Sequence, residues 1–215
     1  MSHRNQGFTL LEVMVALSIF AVIGLGSWQV LDRVLTSKQY LTQRSDQLRE
    51  TQRGIWLLAR DIGNIVNRPI RNENEQREAA VTSLVSGYPL TLTRGGWNNP
   101  LNEARSTLQR VGYTLEPTDS GQHTLMRHYW PVLDRAPGTE IQQQALIHDV
   151  IYFEVQFIDD KGKYLFHWPE DSGSNTEPNL EQIPAGILIR LQTEHFGELE
   201  RLFALRDLKP EERTP

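Results

Sequence analysis

Gly7-Phe8-Thr9-Leu10-Leu11-Glu12-Val13 joins a short polar leader, Met1 to Gln6, to an apolar run that extends from Phe8 to Leu31. The run carries a single charge, Glu12, and none from Val13 onward. As a helix, Phe8 to Leu31 reaches ~36 Å at ~1.5 Å per residue, enough to cross a hydrocarbon core of ~30 Å. Three readings fit it. One is a secretory signal peptide cut near Gly24-Leu25-Gly26, before Ser27. The second is an uncleaved single-span anchor. The third is a span cleaved on its cytoplasmic side, after Gly7. The run exceeds an ordinary signal-peptide core of ~7–15 residues and has a carboxylate inside it, which counts against the first.

Downstream of the span the helical pattern continues. No proline lies between Phe8 and Arg68. Val34, Leu41, Leu48, Ile55 and Ile62 recur every seven residues, the spacing of a helix-packing seam. Leu31, Ala59 and Val66 extend a second row, which Lys38, Ser45 and Gln52 interrupt. Two accounts stand side by side. The C-terminal part (Ile55, Trp56, Leu58, Ala59, Ile62) lies on the chain's own core, or the helix also packs in a bundle with other chains through Val34, Leu41 and their neighbours. A helix continuous to about Val66 would be ~88 Å long. Gly24 and Gly26 weaken it by roughly 1 kcal/mol each relative to alanine, or permit close approach of another helix in the membrane. Asn67-Arg68-Pro69 ends it, because proline lacks a donor and disfavours helix in the residue before it. Ile70 to Ala79 is a polar connector that reads as a solvated loop.

Beyond the connector the period changes to two. Leu90 and Leu92 alternate with Thr91 and Thr93; Val111, Tyr113 and Leu115 with Arg110, Gly112 and Thr114; Leu125, Arg127 and Tyr129 with Met126, His128 and Trp130. Ile151, Phe153, Val155 and Phe157 form the cleanest apolar face. Asp159-Asp160-Lys161-Gly162 reads as a hairpin turn into a strand over 163–168. Pro184 precedes Ile187 to Leu191, and Gly197 turns the chain into Leu199 to Leu205. About seven strands joined mostly by hairpins predict an antiparallel sheet. The division is therefore 1–7 leader, 8–31 span, 32–67 remainder of the helix, 68–208 β-rich head and 209–215 polar tail. The fold class is α+β, one long N-terminal helix packed on an antiparallel β head.

The chain has 215 residues, a formal charge of -5 and no cysteine. The charge argues against a nucleic-acid partner, which calls for clustered Lys and Arg. The missing cysteine removes disulfides, thiolate metal sites and thiol catalysis.

The leader followed by Gly7, Phe8, Thr9, Leu10, Leu11 and Glu12 resembles the type IV prepilin signal shared by pili and secretion pseudopilins. In the head, Arg94 to Pro100, Ser106 to Tyr113, Leu125 to Asp134 and Leu188 to Leu191 resemble the minor pseudopilin J family (GspJ) of type II secretion. That resemblance implies a pilin-like fold in the inner membrane with its head in the periplasm. It implies cleavage between Gly7 and Phe8 by the prepilin peptidase and N-methylation of Phe8. It further implies assembly with minor pseudopilins I and K at the tip of a short pseudopilus that drives export across the outer membrane, and leaves contact with secreted cargo open. A minor pilin of a type IV pilus has the same leader. Many pilins carry a proline in the membrane part of the helix; Gln29 stands at the corresponding position, which puts a proline kink in doubt.

The resemblance makes Glu12 the assembly residue. A carboxylate near the middle of a membrane helix costs ~2.5–3.5 kcal/mol, less near its end, and burial favours its neutral form. Cleavage at Gly7 frees an amine on Phe8. Pairing of that amine with Glu12 of a neighbouring helix sets axial register. The alternatives are self-pairing, since Phe8 and Glu12 share a helical face, and snorkelling of Glu12 to water.

Nucleophile-elbow, zinc-protease and phosphate-loop motifs do not occur in the sequence. His123, His128, His148, His167 and His195 have no ligand spacing, and the acidic turns Asp159-Asp160 and Glu170-Asp171 do not follow the calcium-loop pattern. Arg110 and Arg127, on strands among apolar neighbours, call for a carboxylate or carbonyl partner. The expectation is assembly without catalysis, cofactor or metal. A signal-anchored periplasmic enzyme or binding protein is the rival from another class.

Overall fold

The computed structural model describes residues 9–98, 106–119, 121–170 and 179–205. The chain divides into two compact units, residues 1–49 and 50–215. Gly7, Phe8, Asp171 and the polar tail lie outside the described residues.

Helix α1 spans Leu10–Gly63. Thr9 caps it. Its hydroxyl accepts the Glu12 N–H at 3.3 Å, and its carbonyl accepts those of Glu12 and Val13 at 3.1 and 3.3 Å. Thr9-Leu10-Leu11-Glu12 therefore has capping-box spacing, and a carboxylate in the first turn favours the positive end of the helix dipole. Ser18 and Thr42 bond the carbonyls of Met14 and Lys38 one turn back, which satisfies their hydroxyls within the helix. The apolar N-terminal part is long enough to cross a membrane, and none of that window is buried. A Cβ added at Gly24 or Gly26 would meet nothing within 4 Å among the described residues.

The second unit holds ten strands among the described residues: β1 (Ile70–Arg71), β2 (Arg77–Glu78), β3 (Val81–Thr82), β4 (Leu90–Arg94), β5 (Gln109–Pro117), β6 (His123–Trp130), β7 (Gln142–Ile158), β8 (Tyr164–Leu165), β9 (Gly186–Thr193) and β10 (Gly197–Ala204). The main sheet is antiparallel in the order β10-β9-β7-β6-β5-β4-β3, with β8 against β7, and β1 and β2 form a separate ribbon. β7 is long enough to serve two neighbours. Its first half pairs with β6 and its second with β9. Leu57, Leu58 and Ile62 of α1 close one core with Leu92, Tyr113, Leu125, Ile147, Phe157 and Ile187. Gly54 lets the helix approach β7, since a Cβ there would collide with Ile147 and sit 3.0 Å from the Leu146 carbonyl oxygen.

Several expectations need correction. The helix stops at Gly63, short of Val66. Asn64 and Ile65 make tight bonds to the carbonyls of Asp61 and Ile62, and Asn64 Nδ2 covers the Arg60 carbonyl at 2.7 Å. Val66 then donates to Thr93 of β4 at 3.0 Å, so sheet pairing takes over the backbone. Trp56 is 61 % exposed, with Arg60 over its ring; Leu57 occupies the core in its place. Ile151 is expelled to the surface. It is the extra residue where the β7–β9 register shifts between Val150 and Tyr152, just after Asp149 at φ 56°. The connector 70–79 contains the β1–β2 hairpin, whose turn is organised by Asn72 Oδ1 accepting the N–H groups of Asn74 and Gln76. The strand expected over 163–168 is reduced to Tyr164–Leu165.

Candidate functional site

The helix-packing residues divide between the two units. Val34 and Leu41 are exposed and Leu48 is 42 % exposed, on a helix whose apolar window holds no buried residue among those described. Ile55 packs partly against the head core and Ile62 is fully buried in it. The seven-residue repeat thus serves two purposes, an open stripe first and a core anchor later. Glu12 is exposed in the first turn.

Asp61 fixes the end of the helix to the sheet, and sequence reasoning missed it. Its side chain is fully buried, one residue before the core residue Ile62. Arg94 Nη1 reaches Oδ1 at 2.6 Å; Arg127 Nε and the Tyr113 hydroxyl reach Oδ2 at 2.6 and 2.8 Å. Arg127 also donates to Gln109 Oε1, and Arg94 to the carbonyls of Gly95 and Gly96. A helix C-terminus carries roughly half a negative charge, so the two arginines answer both it and the carboxylate. Burial, followed by the Asp61 charge, holds the Tyr113 phenol well above its ordinary value of 10.0. The available clue was a carboxylate in the wrong turn for the helix dipole, on the apolar face.

Arg110 Nη1 and Nη2 donate to the carbonyls of Ala79 and Ala80 and the hydroxyls of Thr91 and Thr93, with Glu78 at 3.4 Å, while its buried Nε finds no partner among the described residues. Burial lowers its pKa to about 10, against the opposing pull of Glu78. The expected partners of Arg110 and Arg127 are therefore present. His128, His148 and His195 each face one carboxylate, from Glu116, Glu50 and Asp149. Asp159 Oδ1 accepts the N–H groups of Lys161 and Lys163, which makes that acidic turn a backbone cap. Among the described residues no three His, Asp or Glu side chains converge as metal ligands.

A bare apolar helix fused to an antiparallel head matches two family patterns end to end. Residues 2–28 match the prokaryotic N-terminal methylation motif, and residues 29–205 match type II secretion system protein J. The chain belongs to the type II secretion system protein J family. The protein J of Escherichia coli is 31 % identical over 212 residues, covering 96 % of this chain and 98 % of that one. The protein J of Vibrio cholerae is 29 % identical, covering 94 % and 88 %. A chain of the solved GspK–GspI–GspJ complex from the type 2 secretion system of enterotoxigenic E. coli superposes with a TM-score of 0.61 at 27 % identity, covering 76 % of this chain and 99 % of that one. As a protein J family member, this chain is a minor pseudopilin with a prepilin-like leader and a single membrane-anchoring helix.

Proposed function

We propose that this protein J assembles with minor pseudopilins of the I and K types at the tip of a short pseudopilus, with its helix in the inner membrane and its head in the periplasm. There it contributes to protein export across the outer membrane by assembly, without turnover. The observation that carries this reading is the joint match of the methylation motif and the protein J pattern on consecutive stretches of one chain. The solved GspK–GspI–GspJ complex supports the choice of partners.

In this reading the prepilin peptidase cuts between Gly7 and Phe8 and methylates Phe8. The new amine stays protonatable and pairs with Glu12 of the adjoining subunit. Val34, Leu41 and Leu48 form the seam against neighbouring helices. Thr9 keeps Glu12 in the first helical turn.

The test is mass spectrometry of the mature N-terminus, followed by co-isolation from membranes with the I and K subunits. The expected N-terminus is methyl-Phe8. Glu12→Ala is expected to be cleaved normally but recovered with little I or K. A mature chain that still begins at Met1, or undiminished co-isolation of Glu12→Ala, overturns the reading.

A further inference from the structure

The connector from Arg68 to Glu78 holds three arginines and three glutamates, so its composition is electrically neutral. The fold sorts the two signs. Ile70 and Glu78 are cross-strand partners on one side of the β1–β2 ribbon, with Ile70 buried. Glu78 turns inward to Arg135 at 2.7 Å and Arg110 at 3.4 Å, and Glu73 reaches Arg135 at 3.6 Å. The next pair, Arg71 and Arg77, points to the opposite side, exposed and directly across from each other. Like charges in that arrangement repel and weaken a ladder. Among the described residues no carboxylate pairs with either guanidinium.

Both arginines line a cleft of ≈ 240 Å³ together with Arg68, Pro69, Ile70 and Asp134. Asp134 is already engaged, by Arg68 at 3.4 Å and by the Arg71 backbone N–H at 2.9 Å. Three cations therefore surround one acid, leaving two positive charges facing solvent on a chain of net charge -5. We propose that this cleft docks an acidic peptide segment of another protein, whose carboxylates the Arg71 and Arg77 forks clamp.

The arginine fork matches carboxylate geometry in bidentate fashion. Two spare cations fall short of the four to eight clustered basic residues that mark an anionic lipid surface. Asp134 in the cleft repels a phosphate dianion about twice as strongly as a carboxylate at equal distance. The proposal is independent of the pseudopilus reading, since it concerns a surface of the head alone.

The experiment titrates full-length protein in detergent with a fluorescent acetyl-(Asp-Glu)3 amide peptide and follows anisotropy. Wild type is expected to bind, and to bind less tightly as salt is raised. Arg71→Gln/Arg77→Gln is expected to lose at least about tenfold in affinity, equivalent to ~1.4 kcal/mol. Its melting temperature should equal or exceed that of wild type, because a repulsive pair has gone. Arg71→Lys/Arg77→Lys should retain part of the affinity. Failure of wild type to bind the peptide, equal affinity in the glutamine variant, or displacement of the peptide by equimolar inorganic phosphate or phosphatidylglycerol vesicles overturns the proposal.

Discussion

Asp61 and Arg127 lie 66 residues apart in the chain and meet at 2.6 Å with both side chains almost wholly removed from solvent. Arg94 and Tyr113 close on the same carboxylate, so helix α1 and strands β4, β5 and β6 share one polar centre inside an apolar core. Such a centre is worth little against a well-packed apolar replacement, but removing one partner strands the others.

Asp61→Asn is therefore expected to destabilise the protein by about 3–5 kcal/mol, since two buried arginines lose their counter-charge. Chemical denaturation of the full chain in detergent measures it. A double-mutant cycle with Arg127→Met should show strong coupling. A loss below about 1 kcal/mol for Asp61→Asn would mean the arginines are neutralised elsewhere.

Gly54→Ala sets two effects against each other. Alanine gains about 1 kcal/mol of helix propensity, while overpacking against Ile147 and the Leu146 carbonyl costs about 1–3 kcal/mol. The carbonyl belongs to a paired strand and cannot swing aside, so net destabilisation is expected. Ile147→Ala in the same chain should shrink the penalty of Gly54→Ala.

Ile62→Ala and Leu41→Ala are predicted to separate folding from assembly. The first empties a fully buried site and should cost about 2–5 kcal/mol. The second alters an exposed residue and should leave thermal unfolding within about 0.5 kcal/mol of wild type. Co-isolation with partner pseudopilins should fall for Leu41→Ala even so.

The Tyr113 phenol predicts an alkaline loss of stability. Its folded pKa lies above the unfolded value of 10.0, so its contribution is complete below pH 10 and declines as pH rises beyond it. The limiting slope is about 1.4 kcal/mol per pH unit. Arg110, lowered to about 10, works in the opposite sense over the same range, because the unfolded chain holds its proton longer. Tyr113→Phe removes only the first effect. Its stability between pH 10 and 11 should fall less steeply than that of wild type.

The helix and most of the sheet could be read from residue patterns because those patterns are local. Val111 and Tyr113 alternate with Arg110 and Gly112 over adjacent positions, and that alternation marks the strand although both of its faces are buried there. Asp61 left no comparable trace. Its donors lie 33, 52 and 66 residues away, and no periodicity links them. Ile151 departs from the alternation for a related reason: strict alternation assumes an unbroken register, and the bulge beside Asp149 inserts one residue. Trp56 reads as core among its apolar neighbours, but helical phase puts Leu57, Leu58 and Ile62 there and leaves Trp56 exposed. The β1–β2 ribbon was hidden by a polar composition that resembles any loop, and its turn depends on one asparagine side chain.

The Asp61 centre also bears on mechanics. A tension applied along the helix arrives at the sheet where one carboxylate is gripped by three donors from three different strands. Those grips lie in parallel rather than in series, so they do not unzip one at a time. Load on the last helical turns is shared among three strands, and in a subunit weakened at Asp61 those turns would peel from the sheet at lower force.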